Sequence, residues 1–211
     1  MGTKRDQPAR LTPKGRATRE RIIDAAAQLI YDHGVKHTNN EMIRRAAGVS
    51  GSQLSHYFPD KELLVRAVIA RRAESMMGRD DTPPRGPLDT IDALDRWAES
   101  YIADPAVIRG GCSFGSLASE ILKSEPNLHD AIADGFARWG TEFRDGLNTM
   151  RDDGTLDKDA DIHRFAHVLM AAFQGGMLLT QATGDIAPLR DALRHAVDTV
   201  RAAAAPSGDR Q

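Results

Sequence analysis

A short polar segment of the chain, residues 51–56 with the sequence GSQLSH, carries side chains suited to reading nucleic-acid bases. Gln, Ser and His side chains donate and accept hydrogen bonds, as the base edges in the DNA major groove do. Leu54 and Phe58 are four residues apart, so a helix here has one apolar face that holds it to its neighbours. The outward-facing positions are then Gly51, Ser52, Gln53, Ser55 and His56.

The flanking segments predict helices that position this polar helix. RATRERIIDAAAQLIYDHG places Ile22, Ala26 and Ile30 on one face and ends at Gly34, a typical C-cap. NEMIRRAAG predicts a short second helix that ends in a tight turn at Gly48. The predicted N-caps are Thr38 or Asn39 for the second helix, Ser50 for the third and Asp60 for a fourth over 62–77. Two short helices joined by such a turn form a helix-turn-helix, which presents its second helix to the major groove.

Composition and charge distribution favour a globular protein with a polyanionic partner. The chain has 211 residues, of which 41% are apolar and 27% charged, so it can bury a core. Residues 1–77 hold 14 Lys and Arg against 8 Asp and Glu, a net charge of +6, whereas the remainder has a net charge of −8. The basic first third favours nucleic acid as a partner, and the acidic remainder would repel it.

The sequence gives no sign of a membrane protein or a secreted one. No apolar run approaches the roughly 18 residues that a membrane span needs, and the N-terminal segment MGTKRDQPARLTPKGR lacks the apolar middle of a signal peptide. The single cysteine, Cys112, excludes an internal disulfide. We therefore expect a cytoplasmic protein with no membrane partner.

The segment GRDDTPPRGP, which begins at Gly78, is rich in Pro, Gly and charge and predicts a connector between two domains. We predict a DNA-binding domain at 16–77, with the helix-turn-helix at about 39–58, and a helical domain at 78–205. Further helices are expected at about 88–103, 114–124, 126–152, 159–183 and 187–205, with flexible tails at 1–15 and 206–211. The predicted fold class is all-α, with a long fourth helix joining a three-helix N-terminal domain to a larger helical bundle.

Three sequence blocks resemble the tetracycline-repressor (TetR) family of transcriptional regulators. They are IIDAAAQLIYDHG, AAGVS and YFPDKELL, the last close to the aromatic-Phe-Pro-x-Lys-Glu block of that family. The resemblance covers residues 16 to about 77, under a third of the chain. It implies a homodimer whose all-helical C-terminal domain binds a small molecule. It also implies that two recognition helices release a palindromic double-stranded operator when that ligand binds.

The same resemblance implies specific DNA contacts. Gln53 and His56 would reach base edges or phosphates, and Tyr57 and Lys61 would hold the helix to the phosphate backbone; the alternatives are a solvated Gln53 and a Tyr57 packed on the first helix. Arg44 departs from the family, which usually has a small residue there, and its guanidinium is expected near a phosphate. The full predicted set is Thr38, Asn39, Arg44, Ser50, Gly51, Ser52, Gln53, Ser55, His56, Tyr57 and Lys61. The basic residues Lys4, Arg5, Arg10, Lys14 and Arg16 form either a disordered tail or a DNA-contacting arm.

Large side chains at helical spacing in the second domain supply the materials of an apolar ligand pocket, although plain core packing must account for most of them. The predicted ligand-binding residues are Trp97, Tyr101, Cys112, Phe114, Trp139, Phe143, His167, Phe173, Gln174 and Met177. Ser116 and Arg109 are further polar candidates.

The segment RGGCSFGSLASEI suggests a second way of sensing. Cys112 lies at a predicted helix start, where the helix dipole stabilises a thiolate. The segment is similar to a Gly-Cys-x-x-Gly-(Ser/Asn)-Leu pattern in a subgroup of TetR-type regulators, some of which respond to electrophiles through that cysteine. An electrophile- or redox-sensing repressor is therefore the alternative function, and a buried, inert Cys112 is the structural interpretation.

The last two helices are predicted to form the dimer interface. FAHVLMAAFQGGMLLTQATG is apolar nearly all round and contains small residues, so close approach of a partner helix is expected. LRDALRHAVDTVRAAA adds a second apolar stripe. The predicted interface residues are Ala172, Gly175, Gly176, Leu189, Leu193 and Val197.

Enzymatic and metal-binding functions find little support. No nucleophile elbow, P-loop, dinucleotide fingerprint or His-Glu-x-x-His motif is present. His163 and His167 have a spacing that binds zinc, but no carboxylate or cysteine pair completes the set. We therefore predict no metal, no cofactor and no catalytic residue, with a helical enzyme or a protein-binding adaptor as remote alternatives.

Overall fold

The computed structural model describes residues 11–78 and 86–205, and the elements in these ranges are helical, apart from an isolated bridge between Leu156 and Ala204. Residues up to Arg71 and residues from Arg72 form two compact units. Within the described ranges, no helix is long and apolar enough to cross a membrane. The predicted all-α fold class is confirmed.

The first unit consists of three helices and most of a fourth. They are α1 (Pro13–His33), α2 (Asn40–Ala47), α3 (Gly51–Tyr57) and α4 (Lys61–Met76), which continues past the division between units. Apolar residues from all four helices form the core, among them Ile22, Ile43, Leu54 and Leu64, each less than 5% exposed. α2 and α3 are therefore held as a helix-turn-helix by burial of their inner faces.

Caps fix the ends of these helices where the sequence predicted them. Gly34 and Gly48 end α1 and α2 with φ of 81° and 62°, a backbone conformation in which a side chain is disfavoured. The Asp60 carboxylate accepts a hydrogen bond from Leu63 N at 2.8 Å, which confirms the N-cap of α4. α1 begins earlier than the predicted residue 16, because Thr12 caps it and Pro13 occupies its first position.

The second unit contains six further α-helices among the described residues. They are α5 (Ile91–Ile102), α6 (Ala106–Gly110), α7 (Ser113–Ser124), α8 (His129–Asp152), α9 (Ile162–Thr183) and α10 (Ala187–Arg201). A 3-10 turn, Pro126–Leu128, precedes α8. α6 lies within DPAVIRGG, which the sequence predicted to be a loop; Asp104 initiates it by accepting a hydrogen bond from Ala106 N. α10 ends at Arg201 rather than residue 205, because residues 203–205 bond to the backbone of 155–157.

The division between the two units lies inside α4 rather than at the predicted boundary after residue 77. Ala73 and Met76, in the last turns of this helix, are at most 7% exposed, and they belong to the second unit. A Cβ atom built on Gly135 of α8 would lie 3.3 Å from the Ala73 side chain, so α8 packs directly on the end of α4. The Pro- and Gly-rich connector, in which residues 79–85 are outside the described ranges, therefore follows the division instead of forming it.

Candidate nucleic-acid interface and ligand cavity

α3 presents the polar surface that the sequence predicted. Leu54 and Phe58 are 4% and 6% exposed and hold the helix to the core, which leaves five residues of its outer face exposed. They are Gly51, Ser52, Gln53, Ser55 and His56. A short helix with one buried face and hydrogen-bonding groups on the other has the form of a major-groove recognition helix.

Ser50 and Gln53 form a capping box that the sequence analysis missed. The Ser50 hydroxyl accepts a hydrogen bond from Gln53 N at 3.2 Å, and Gln53 Oε1 accepts one from Ser50 N at 2.9 Å. The pattern Ser-x-x-Gln was visible in the sequence and is a known helix-start signature. Gln53 therefore stabilises the first turn of α3 through its oxygen, while its Nε2 group retains two donors for another partner.

Thr38 is misassigned as a DNA-contacting side chain. It is 1% exposed, and its hydroxyl donates a hydrogen bond to Gly34 O at 2.9 Å, so it closes the turn between α1 and α2. Asn39 caps α2 instead, accepting a hydrogen bond from Met42 N at 3.0 Å, and it is exposed. Of the two predicted N-caps for α2, the structure selects Asn39.

Arg44 lies beside the start of α3. Its guanidinium pairs with Glu41 at 2.6 Å, and its Cδ lies 4.0 Å from a Cβ atom built on Gly51. The pair is more than a third exposed, so it contributes at most about 1 kcal/mol and does not prevent the guanidinium from turning to another anion. Lys36 and Arg45, which the sequence analysis did not single out, are exposed cations in and just before α2.

Tyr57 and Lys61 both make contacts within the first unit. The Tyr57 hydroxyl lies 3.3 Å from a Cβ atom built on Gly15, so the ring reaches the first turn of α1, as its packing alternative predicted. Lys61 Nζ donates a hydrogen bond to Val35 O at 2.6 Å, a structural contact within the first unit. Two further ammonium donors of Lys61 remain for a phosphate.

The basic N-terminal arm is only partly within the described ranges. Lys4, Arg5 and Arg10 lie outside them. Lys14 and Arg16 are part of α1 rather than a tail, and Arg16 donates a hydrogen bond to Leu11 O at 2.8 Å.

The aromatic side chains predicted to line a ligand pocket mostly pack on one another. Phe143 and Phe173 are fully buried. The ring centroid of Phe143 lies 5.0 Å from that of Trp97, and the ring centroid of Phe173 lies 4.7 Å from that of Tyr101, both in edge-to-face geometry. Phe114 is also fully buried, at 4.8 Å from the ring of Phe136. These rings, with Met177 at 4% exposure, form an aromatic cluster in the core of the second unit.

Three of the predicted polar pocket residues are on the surface. His167 is exposed on α9, and so is His163, because the buried face of this helix runs through Ala166, Leu169 and Phe173. Ser116 and Arg109 are likewise exposed. None of these four side chains lies in the interior of the second unit. Among the described residues, no group of three His, Cys, Asp or Glu side chains could hold a metal ion.

A cavity of about 290 Å³ lies in the second unit beside the aromatic core. It is bounded by the end of α4 at Met76 and Met77, by residues 86–89, by Trp97 of α5 and by one face of α8. Of the predicted ligand-binding residues, Trp97 and Trp139 line it. Three acidic residues also line it, Asp89, Glu142 and Asp145, and no periodicity or motif in the sequence marks them.

Cys112 is buried and caps α7. It is 6% exposed, and its Sγ accepts hydrogen bonds from Gly115 N at 3.2 Å and from Gln174 Nε2 at 3.5 Å. Burial raises the pKa of the Cys112 thiol above its ordinary value, against the lowering effect of hydrogen bonds from Gly115, Gln174 and Phe114. Cys112 therefore lacks the low pKa and the solvent access that the sensor alternative requires.

Comparisons with known proteins agree with this geometry. A family model described as bacterial regulatory proteins of the tetR family matches residues 22–68, the span of the helix-turn-helix. A second model, the tetracyclin repressor-like C-terminal domain, matches residues 87–196, more than half of the chain. This chain belongs to the tetR family. It is a helix-turn-helix transcriptional regulator, and the family consists of DNA-binding regulators rather than enzymes.

Individual transcriptional regulators resemble this chain over most of its length. An HTH-type transcriptional regulator in the lacX 3′ region of Lactococcus lactis subsp. lactis is 25% identical over 81% of this chain and 87% of that protein. The HTH-type regulator YxaF of Bacillus subtilis is 25% identical over 82% of this chain and 89% of that one. A TetR regulator of Chloroflexus aurantiacus has the same fold, with a TM-score of 0.74 and 24% identity, over 92% of this chain and 98% of that structure.

The predicted dimer interface of this tetR-family regulator needs correction. Leu189, Leu193 and Val197 are at most 1% exposed within one chain, and a Cβ atom on Gly176 would lie 2.8 Å from Leu189 Cα. These four residues join α9 to α10 inside the protomer, so they are not available to a partner. Small and apolar residues instead remain exposed on another face of α9, at spacings of three and four: Ala171, Gly175, Leu178, Leu179 and Ala182.

Proposed function

We propose that this tetR-family regulator is a homodimeric repressor that leaves a palindromic operator when a small molecule occupies the cavity of its second unit. The observation that carries the DNA-binding part is the exposed polar face of α3, held in place by Leu54 and Phe58 on one side and by the capping box at its start. Binding to chromosomal DNA would place the protein in the bacterial cytoplasm.

Base recognition is assigned to the exposed side chains of α3. Gln53 offers its Nε2 donors, and Ser52, Ser55 and His56 offer hydroxyl and imidazole groups, to the base edges of the major groove. Gly51 keeps the start of α3 free of a side chain, and a Cβ atom there would be 4.0 Å from Arg44.

Phosphate contacts are assigned to the residues around α3. Arg44 and Lys61 each use only some of their hydrogen-bond donors within the protein. The exposed Arg45 and Lys36 are added to the predicted set. Further polar contacts are assigned to Asn39 and Ser50, the N-caps of α2 and α3, and to Tyr57 at the end of α3. Cations of this kind supply the sequence-independent part of the affinity, which falls as salt rises.

The dimer interface is assigned to the exposed stripe of α9. Leu178 and Leu179 are 67% and 55% exposed, and Ala171, Gly175 and Ala182 extend the same face with small side chains. Exposed leucines flanked by small residues allow the same face of a second helix to approach closely, which suits a two-fold interface. A two-fold dimer carries two recognition helices, and these can occupy half-sites about 34 Å apart on DNA.

The ligand site is assigned to the cavity next to the end of α4. The residues retained from the sequence prediction are Trp97 and Trp139, and Met76 at the end of α4 also lines this space. α4 runs without interruption from Lys61, next to the recognition helix in the chain, to Met76. A ligand that favours one conformation of this helix would shift the DNA-binding equilibrium by its difference in affinity between the two states.

The Gly-Cys-x-x-Gly-Ser-Leu segment, residues 111–117, is proposed to define a structural subgroup of the family rather than a thiol sensor. Gly111 has φ of 59°, and a Cβ atom on Gly115 would overlap the Gln174 side chain that donates a hydrogen bond to Cys112. Gly111 thus suits the tight turn before α7, and Gly115 leaves room for Gln174 of α9 to reach Cys112. The reversible ligand remains the proposed signal.

Gel shifts on the DNA upstream of the protein's own gene test the proposal. The wild-type protein should give a sequence-selective complex that weakens steeply between low and high salt. Ser55→Glu places a carboxylate on the exposed face of α3 and should abolish that complex. Ser119→Glu, the same change at an exposed position of α7, is the control and should bind like the wild type. Equal binding of both variants would refute the assignment of α3 as the recognition helix.

A further inference from the structure

We infer that Glu41 is a positioning residue for DNA binding, which holds the Arg44 guanidinium so that its outer edge is free to bind a backbone phosphate beside α3. This role rests on the proposed phosphate contact of Arg44. It adds an acidic residue to a DNA-binding surface whose other assigned side chains are basic or neutral.

Glu41 binds one edge of the Arg44 guanidinium. Its Oε2 atom accepts hydrogen bonds from Arg44 Nε at 3.2 Å and from Nη2 at 2.6 Å. A guanidinium has five N–H donors, so two are used and three remain. Nη1 makes no hydrogen bond to any described residue. The edge formed by Nη1 and Nη2, a planar fork that matches a phosphate, is therefore open.

Both ends of the Arg44 residue are fixed next to the recognition helix. Its carbonyl accepts a hydrogen bond from Val49 N at 3.1 Å, which ties its backbone to the turn between α2 and α3. Its Cδ atom lies 4.0 Å from a Cβ atom built on Gly51, the first residue of α3. Without Glu41, the long side chain would lose its rotamer freedom only when DNA binds, and that loss weakens binding. With Glu41, part of the loss has already occurred in the free protein.

Three possible roles of Glu41 give different outcomes when its side chain is removed. If its charge only repels DNA, Glu41→Ala should strengthen binding, because a charge of the same sign as the phosphates is lost. If it only stabilises the first turn of α2 through the helix dipole, Glu41→Ala and Glu41→Gln should have equal effects. If it positions Arg44, Glu41→Ala should weaken binding although the protein gains positive charge. Glu41→Gln should not, because its amide oxygen still accepts from the guanidinium.

Fluorescence anisotropy with a labelled mixed-sequence DNA duplex measures these effects, since phosphate contacts do not depend on sequence. The duplex is about 30 base pairs long, enough for two half-sites one helical turn apart. At low salt, Arg44→Ala should bind about tenfold more weakly than the wild-type chain and Glu41→Ala about threefold, whereas Glu41→Gln should stay within about twofold of it. The salt dependence of Glu41→Ala should become shallower, towards that of Arg44→Ala, because a phosphate contact is weakened.

Two further variants isolate the pairing of Glu41 with Arg44. In the Arg44→Ala background, Glu41→Ala should cause no further loss, because no guanidinium is left to position. Asp32→Ala removes an exposed carboxylate of α1 that accepts hydrogen bonds from Gln28 rather than from a cation. It is the control and should bind no more weakly than the wild type. Circular dichroism confirms that each variant is folded.

Three results would overturn the inference: tighter DNA binding by Glu41→Ala than by the wild type, equal losses in Glu41→Ala and Glu41→Gln, or a loss that persists in the Arg44→Ala background. If Arg44→Ala itself binds like the wild type, the proposed phosphate contact fails and the role of Glu41 fails with it. If Arg44→Ala weakens binding and Glu41→Ala does not, the phosphate contact stands and only the role of Glu41 fails.

Discussion

Helices α3 and α9 show two different ways in which this protein exposes a functional surface. α3 is seven residues long, and its exposed face is polar and fixed by local contacts, the capping box between Ser50 and Gln53 and the buried Leu54. α9 is 22 residues long, and between Ala171 and Ala182 it carries apolar and small residues on its exposed face as well as on its buried one, so its neighbours decide which of them are covered. A polar surface can therefore be located from nearby residues, whereas an apolar one requires knowledge of distant packing.

The largest expected effect is on the exposed face of α9. Leu179→Glu places a carboxylate in the proposed dimer interface while leaving the protomer core untouched, so dimers should dissociate and operator affinity should fall by about a hundredfold or more. Analytical ultracentrifugation and a gel shift measure the two effects. Leu122→Glu, at a leucine that is 50% exposed on α7, should remain dimeric. A dimeric Leu179→Glu protein would place the interface elsewhere.

Two adjacent glycines of α9 lie on its two different faces, Gly176 buried and Gly175 exposed. Gly176→Ala should cost about 1–3 kcal/mol of unfolding free energy, because its Cβ would lie 2.8 Å from Leu189 Cα and the backbone cannot yield easily. The Cβ of Gly175→Ala has no atom of its own chain within 4 Å, so this change should raise the helix stability of the protomer by up to about 1 kcal/mol. Urea denaturation measures both. Equal effects would show that α9 and α10 are not packed through Gly176.

Gln53 distinguishes stabilisation of α3 from recognition of DNA. Gln53→Ala should lose about 0.5–1.5 kcal/mol of stability with the capping box, and about 1–3 kcal/mol of operator affinity. Gln53→Glu keeps an acceptor for Ser50 N, so its stability should be retained while operator binding is lost, because the Nε2 donors are replaced by a negative charge. Thermal melts and gel shifts provide the readouts. If the Gln53→Glu protein bound the operator with wild-type affinity, Gln53 would act only as part of the capping box.

The smallest expected effect concerns Cys112. Cys112→Ser keeps an acceptor for Gly115 N and should change stability by less than about 1 kcal/mol, whereas Cys112→Ala loses the cap of α7 and should cost about 1 kcal/mol. Because burial raises the thiol pKa, little thiolate exists at neutral pH, and alkylation of the native protein should be slow. Mass spectrometry after timed alkylation measures this. Labelling within minutes that releases the operator would restore the thiol-sensor interpretation.

The elements that sequence predicted correctly are those set by neighbouring residues. Gly34, Gly48 and Asp60 act where the spacing placed them, because a helix end depends on a few adjacent residues. The outward face of α3 followed from Leu54 and Phe58 alone.

The errors arose where a contact joins distant parts of the chain. Lys61 bonds to Val35, 26 residues away, so its structural role left no local pattern. Leu189 covers Gly176, and the apolar stripe of α10 therefore faces α9 of the same chain rather than a second protomer. Asp89 and Glu142 both line one cavity although about fifty residues separate them in the sequence.

The continuity of α4 has a consequence for protein engineering. The division between Arg71 and Arg72 falls inside one uninterrupted helix, so sensing units of related regulators are best exchanged there rather than at the connector after Gly78. A hybrid joined at that point keeps Ala73, Met76 and Met77, which are buried, together with the rest of the second unit. Adding or removing one residue at the junction would turn everything beyond it by about 100° around the helix axis. The helical register at the junction would thus decide whether a biosensor built from this scaffold still responds to its inducer.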